Sequence, residues 1–174
     1  MKKLFLTAAL PAAAVLAACQ STPQEPLRAT AALQPTKGSK AFGEATFEQV
    51  GSKVRVIVFA QGLQPNREHG FHIHEAGDCS SGDGMSTKGH FNPHGKPHGD
   101  PKSAERHAGD LPALKAGKDG RAKVDVEMDV ITLTSGPANI VGKGLIIHAD
   151  PDDYKTQPTG NAGARIACGV IKPG

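Results

Sequence analysis

Valines at 54, 56 and 58 alternate with Arg55, Ile57 and Phe59, and a second run sets Val124, Val126, Met128 and Val130 against Asp125, Glu127 and Asp129. A period of two marks a strand, because successive side chains point to opposite faces of a sheet. The second run predicts a strand with one buried and one wet face. Further strands are predicted at 41–49, 69–74, 140–148 and 164–171, each bounded by Gly, Pro or Asn. No segment carries a convincing helical period, and 21 Gly and 13 Pro punctuate the chain into short pieces joined by turns. The pattern predicts an all-β fold, an antiparallel sandwich or barrel, in a single domain over residues 37–174.

Residues 76–120 break the rhythm. They have almost no apolar periodicity but hold Cys79, four histidines and a dense scatter of Gly, Pro and Asp. So long an irregular stretch in a compact domain implies that something functional or covalent orders it.

The first residues, MKKLFLTAALPAAAVLAAC, pair Lys2 and Lys3 with an apolar run and small residues before Cys19. That is the layout of a secretory signal peptide over residues 1–18, too short for a comfortable membrane span. Leu16-Ala17-Ala18-Cys19 resembles a bacterial lipobox, which implies cleavage before Cys19 and lipidation of its thiol; an ordinary cleavage site preceding a cysteine is the alternative. Residues 19–36 are then a polar, Pro-rich tether between anchor and domain. The expected location is the periplasm, membrane-anchored. Gln20 gives no acidic retention signal and so favours the outer membrane. With Cys19 set aside, Cys79 and Cys168 are an even pair in an oxidising compartment, and a disulfide between them is the default. Without residues 1–18 the chain has 18 basic against 17 acidic residues, a balance that gives nucleic-acid binding no support.

All eight histidines lie between residues 69 and 148. In a loop-rich domain such clustering reads as metal binding before acid–base catalysis. His72 and His74, two apart in a predicted strand, present their rings to one face; taken alone they are weak evidence for a metal and read more readily as core histidines bonded to carbonyls. In GHFNPHGKPHGDP and ERHAGDLP, His90, His98, His107 and Asp110 make three imidazoles and one carboxylate, a tetrahedral set suited to zinc. His148 ends the apolar run Leu145-Ile146-Ile147 and is placed to join His72 and His74. Three imidazoles with no sulfur ligand suit copper cycling between Cu(II) and Cu(I), although zinc and nickel also accept nitrogen donors.

Taken in order, GFHIHE, GHFNP with KPHG, HAGDL and GNAGARIACGVI resemble the copper,zinc superoxide dismutase family in its bacterial secreted form, over roughly residues 40–172. The resemblance implies a Greek-key β-sandwich or flattened barrel with long metal-binding loops, an architecture of which this family is itself a recognised member. It implies one copper per chain on His72, His74, His90 and His148, and one zinc on His90, His98, His107 and Asp110. His90 would be a shared imidazolate that also supplies a proton during catalysis. Asp152 would link a copper-bound to a zinc-bound histidine, His72 and His98, and His69 would brace the backbone near copper. Arg165 would stand beside the open copper position, and Cys79–Cys168 would tie the metal loop to the last strand. His94 is expected in solvent.

The implied activity is dismutation of superoxide anion to dioxygen and hydrogen peroxide, protecting the cell envelope. Besides Arg165, Lys88, Lys96 and Lys155 are candidates for steering the anion, although such a residue is more often just a solvated charge. A metal carrier of the same fold would be expected to lack a copper histidine or the arginine, and a zinc hydrolase would keep an open zinc position. The resemblance leaves monomer and homodimer both open.

Overall fold

The computed structural model describes residues 25–174. The signal peptide expected at 1–18 and the lipidation site expected at Cys19 lie outside the described residues. Ten strands follow in chain order: β1 Arg28–Pro35, β2 Phe42–Val50, β3 Lys53–Gln61, β4 Glu68–His69, β5 Phe71–His74, β6 Leu114–Lys115, β7 Ala122–Met128, β8 Gly144–His148, β9 Arg165–Val170 and β10 Lys172–Pro173. Among the described residues the sole helical element is a 3-10 turn at Met85–Thr87.

Eight strands form one curled sheet in the order β5-β8-β9-β1-β2-β3-β7, with β10 beside β1, while β4 and β6 pair separately. Every strand pair is antiparallel. β1 joins the two halves: Arg28–Leu33 pair with β2, and Gln34 and Pro35 pair with β9. From β3 the chain crosses to the far edge for β5, returns to β3 as β7, and crosses again to β8 beside β5. These crossings are the Greek-key connections of the expected fold.

β1 corrects the expected boundary at residue 37. The stretch read as the end of a tether is a strand whose Ala29, Ala31 and Leu33 are buried between exposed Arg28, Thr30 and Ala32. Its pattern is faint because alanine occupies both faces, so hydropathy scarcely alternates although burial does. Elsewhere the period-two argument holds at β3, where Val54, Val56 and Val58 are at most 1% exposed and Arg55 and Phe59 face out. The run predicted at 69–74 is split at Gly70, which turns aside to bond Asp150 and His148. A Cβ there would lie 2.7 Å from that of Ala162.

Parity in β5 and β8 decides where the chemistry sits. Phe71, Ile73, Leu145 and Ile147 point into the core with no exposed surface, each burial contributing about 1.5–3 kcal/mol. His72, His74 and His148 therefore fall on the opposite, outer face, with His72 opposite Ile146.

Candidate metal centre

The free edge of β5 is closed by the long loop that the sequence marked as irregular. Ile73 N–H donates to Gly109 O at 2.9 Å, Phe91 N–H to Ile73 O at 2.8 Å, and Glu75 N–H to Gly89 O at 2.9 Å. These bonds protect an edge strand and set His90 opposite His74 and Asp110 opposite His72. Gly109 permits the approach, since a Cβ would lie 2.2 Å from Ile73 O.

Seven residues then meet as two groups that share one of them. His72, His74, His90 and His148 form the first, and His90, His98, His107 and Asp110 the second; all are buried, and within each group one ligand atom per residue lies within 4.8 Å of the others. In the second group Asp110 Oδ1 lies 2.9 Å from His90 Nδ1, 3.0 Å from His98 Nδ1 and 3.4 Å from His107 Nδ1. Its other oxygen accepts from the N–H groups of Gly99 and His107. In the first group the Nε2 atoms of His74 and His148 are 3.4 Å apart. His72 Nδ1 and His90 Nε2 are buried with no partner among the described residues. Unpaired buried ring nitrogens are costly, and their convergence with two Nε2 atoms is what a nitrogen-coordinated metal requires. The residues therefore fit the implied metals.

The far sides of four of these rings, His72, His74, His98 and His148, are tied down, as metal ligands need. His74 Nδ1 donates to Lys88 O at 2.9 Å, and His148 Nδ1 to Gly163 O at 3.2 Å. Asp152 spans the groups, with Oδ2 2.6 Å from His72 Nε2 and Oδ1 2.9 Å from His98 Nε2. Gly160, at φ 66°, lets the backbone close over this bridge, where a Cβ would fall 1.8 Å from Asp152 Oδ1. His69 stands outside both groups and donates from Nδ1 to His148 O at 2.8 Å. His94 is exposed in a turn closed by Asn92 and Lys96.

Arg165 reaches the first group's neighbourhood through a bulge. β8 and β9 pair in step from Gly144–Val170 to Ile147–Ala167, but His148 pairs with Arg165, leaving Ile166 extra. Such a bulge re-aims the side chain beside it. Arg165 Nη1 donates to Gly84 O at 2.7 Å and Thr87 Oγ1 at 2.9 Å, and Nη2 donates to Lys88 O at 2.6 Å. The Cys79–Cys168 disulfide, with Cα atoms 5.9 Å apart, holds this segment against β9.

Burial pulls the imidazoles of His74 and His148 well below their ordinary value and that of His90 down to about 4, so all three are neutral near pH 7. Burial also works against charge on His98, but the Asp110 and Asp152 carboxylates outweigh it and lift His98 to about 9. Burial opposes charge on the two aspartates as well, and the neighbouring histidines prevail, holding both below the usual carboxylate range.

Two supporting residues had no signal in the sequence. Gln157 clamps the backbone of His98, accepting from its N–H and donating to its carbonyl, both at 2.9 Å. Arg106, buried beside His107, anchors the loop to Asp129 and Ser103 O.

Residues 41–171 match the family described as copper/zinc superoxide dismutase (SODC). "Superoxide dismutase [Cu-Zn] 2" of Aquifex aeolicus (strain VF5) is 45% identical over 150 residues, covering 84% of this chain and 87% of the relative. "Superoxide dismutase [Cu-Zn]" of Paramecium bursaria Chlorella virus 1 is 45% identical over 154 residues, covering 84% and 79%. Among solved structures, the clock protein EA4 superposes with a TM-score of 0.77 at 42% identity, over 88% of this chain and 98% of that one. The chain belongs to the copper/zinc superoxide dismutase family, whose members bind copper and zinc.

Proposed function

We propose that this protein converts two superoxide anions and two protons into dioxygen and hydrogen peroxide, with copper on His72, His74, His90 and His148 and zinc on His90, His98, His107 and Asp110. The observation that carries this reading is His90. Its Nδ1 belongs to the carboxylate-containing group while its buried Nε2 faces the all-imidazole group without a partner. When bound, copper supplies one-electron exchange with superoxide, and zinc supplies a fixed positive charge that governs the basicity of the shared ring.

The chain's own residues do the rest. His90 Nε2 takes up a proton and gives it to the reduced oxygen species, while Nδ1 stays engaged, so the ring keeps its place through the cycle. Asp152 accepts from His72 and His98 and thereby fixes which nitrogen of each ring faces inward. Arg165, half-buried and locked by two carbonyls and Thr87, places a positive charge beside the first group for an incoming anion. The second group already offers four protein donors, leaving no open position of the kind a zinc hydrolase uses.

The motif at residues 1–19 supports a place in the periplasm, with Cys19 lipidated, the protein anchored at the outer membrane and the envelope protected from superoxide. Cys19→Ser should move the protein from membrane to soluble periplasmic fractions; unchanged partitioning would contradict the anchor. For the activity, reconstituted protein should hold one copper and one zinc per chain and remove superoxide rapidly. Full metal loading without dismutation would leave a metal carrier of the same fold.

A further inference from the structure

β1 connects two ends of the molecule that differ in what they carry. Beyond its C-terminal end, Thr36 Oγ1 donates to Arg165 O at 2.7 Å and Lys37 N–H to Gly82 O at 2.7 Å. Arg165 and the loop segment that holds it therefore lie at that end. At the N-terminal end Leu27 O accepts from Gln49 N–H at 2.9 Å, beside the hairpin joining β2 to β3. The Gln49 side chain fastens this end, donating to Gly51 O at 2.9 Å and Lys53 O at 3.0 Å and accepting from Leu133 N–H at 2.8 Å. Leu27 stands eight steps before Pro35, so at about 3.3 Å per step the two ends are about 26 Å apart.

Leu27 and Val50 are 47% and 45% exposed at the N-terminal end. Exposure alone does not choose a contact surface: Phe59 is also 45% exposed, but level with Ala32 along the sheet, and Met85 is 60% exposed beside Gly84, whose carbonyl accepts from Arg165. Chain length makes the choice. Cys19 precedes Leu27 by eight residues, which span at most about 28 Å. A lipid on Cys19 keeps the N-terminal end within that distance of the bilayer. Setting the Arg165 end on the bilayer would hold Leu27 about 26 Å off and draw the connecting residues almost to full extension, which costs conformational entropy. Setting the N-terminal end down carries no such cost and removes the apolar surface of Leu27 and Val50 from water.

We propose that the end formed by Leu27 and the hairpin tip at Val50 rests on the bilayer that holds the anchor, with Arg165 and the all-imidazole group turned to the aqueous side. This rests on the Cys19 lipid anchor proposed above. The orientation suits the substrate, since an anion enters hydrocarbon poorly and arrives through water. The protein is thereby held at the envelope while its site stays open to the aqueous space.

The chain contains no Trp, so one introduced indole reports its own surroundings without background. The test places Leu27→Trp, Val50→Trp, Phe59→Trp and Met85→Trp, each as full-length lipidated protein loaded with copper and zinc, in phosphatidylcholine vesicles with plain or brominated acyl chains. Indole itself favours the membrane interface, but equally at all four positions, so differences among the variants report orientation. Leu27→Trp and Val50→Trp should lose emission in the brominated vesicles, while Phe59→Trp and Met85→Trp keep theirs. Quenching of Met85→Trp or Phe59→Trp to the same degree as Val50→Trp would overturn the orientation, as would unquenched emission from all four on vesicle-bound protein. Flotation with the vesicles and the mass of the N-terminal peptide are read beside it. Protein that neither floats nor carries lipid on Cys19 would defeat the anchor reading, and the orientation with it, whereas floating, lipidated and unquenched protein would defeat the orientation alone.

Discussion

Asp152 is the residue whose loss should be felt at both metals although it belongs to neither group. Its side chain is 1% exposed, and its oxygens lie 2.6 Å from His72 Nε2 and 2.9 Å from His98 Nε2. Asp152→Ala would leave two buried ring N–H groups without acceptors, one behind a ligand of each group. A hydrogen bond to a charged acceptor contributes about 1.5–3 kcal/mol, which converts to about 10- to 150-fold in affinity for each metal. That agrees with the roughly 10–100-fold typical of partners behind metal ligands. Asp152→Asn keeps one oxygen and turns an N–H donor toward the other ring, so it should rescue one metal more than the other. The assay is chelator competition, run separately for copper and zinc. Loss of affinity for a single metal in Asp152→Ala, or for neither, would refute the bridging role.

Arg165→Ala should lower kcat/KM about tenfold with copper and zinc content unchanged; mass spectrometry with a superoxide assay checks it, and an unchanged rate removes Arg165 from substrate guidance. Replacing Cys79 or Cys168 by Ser opens a loop with a sequence separation of 89 residues, and denaturant unfolding should show a loss of roughly 4 kcal/mol, together with slower turnover as the segment holding Arg165 loosens. In metal-free protein, stability should peak near neutral pH. His98, lifted to about 9, stabilises fully below its unfolded value near 6.5, and that contribution is lost as pH rises through about 9. His90, lowered to about 4, acts in the opposite sense: its contribution is present above about 6.5 and lost as pH falls toward 4. Tm against pH reads both limbs, and a metal-free Tm still rising between pH 7 and 9 would contradict the assignment. Zinc uptake at pH 7 should release about one proton from His98, measured by calorimetry in buffers of different ionisation enthalpy.

Much of the site was legible because its chemistry is written in residue types. His72 and His74 need only strand parity to share a face, and His98, His107 and Asp110 carry the donor set of a closed zinc site. The strands were legible where branched residues alternate with charge, as at Val54–Val58, and illegible where alanine blurs the contrast, as at Ala29–Leu33. What linear reasoning could not supply is register. The pairing of β5 with the loop on both sides of Ile73 puts His90 and Asp110 in place, and the bulge at Ile166 turns Arg165 toward His148. Gln157 likewise acts through a contact across 59 positions of chain, with nothing nearby to announce it. Lys88 was visible as a charge near the loop, but its role in holding His74 and Arg165 belongs to a peptide oxygen, which no side-chain pattern records.

The proposed dismutation requires one copper redox site beside one zinc in each chain. The most direct measurement is superoxide decay after pulse radiolysis, using mature protein of known metal content loaded with copper and zinc, beside the same protein loaded with zinc alone. One copper and one zinc per chain, with rapid decay in the first sample and background decay in the second, is the predicted result. Equal decay in the two samples, or background decay in fully loaded protein, would contradict it.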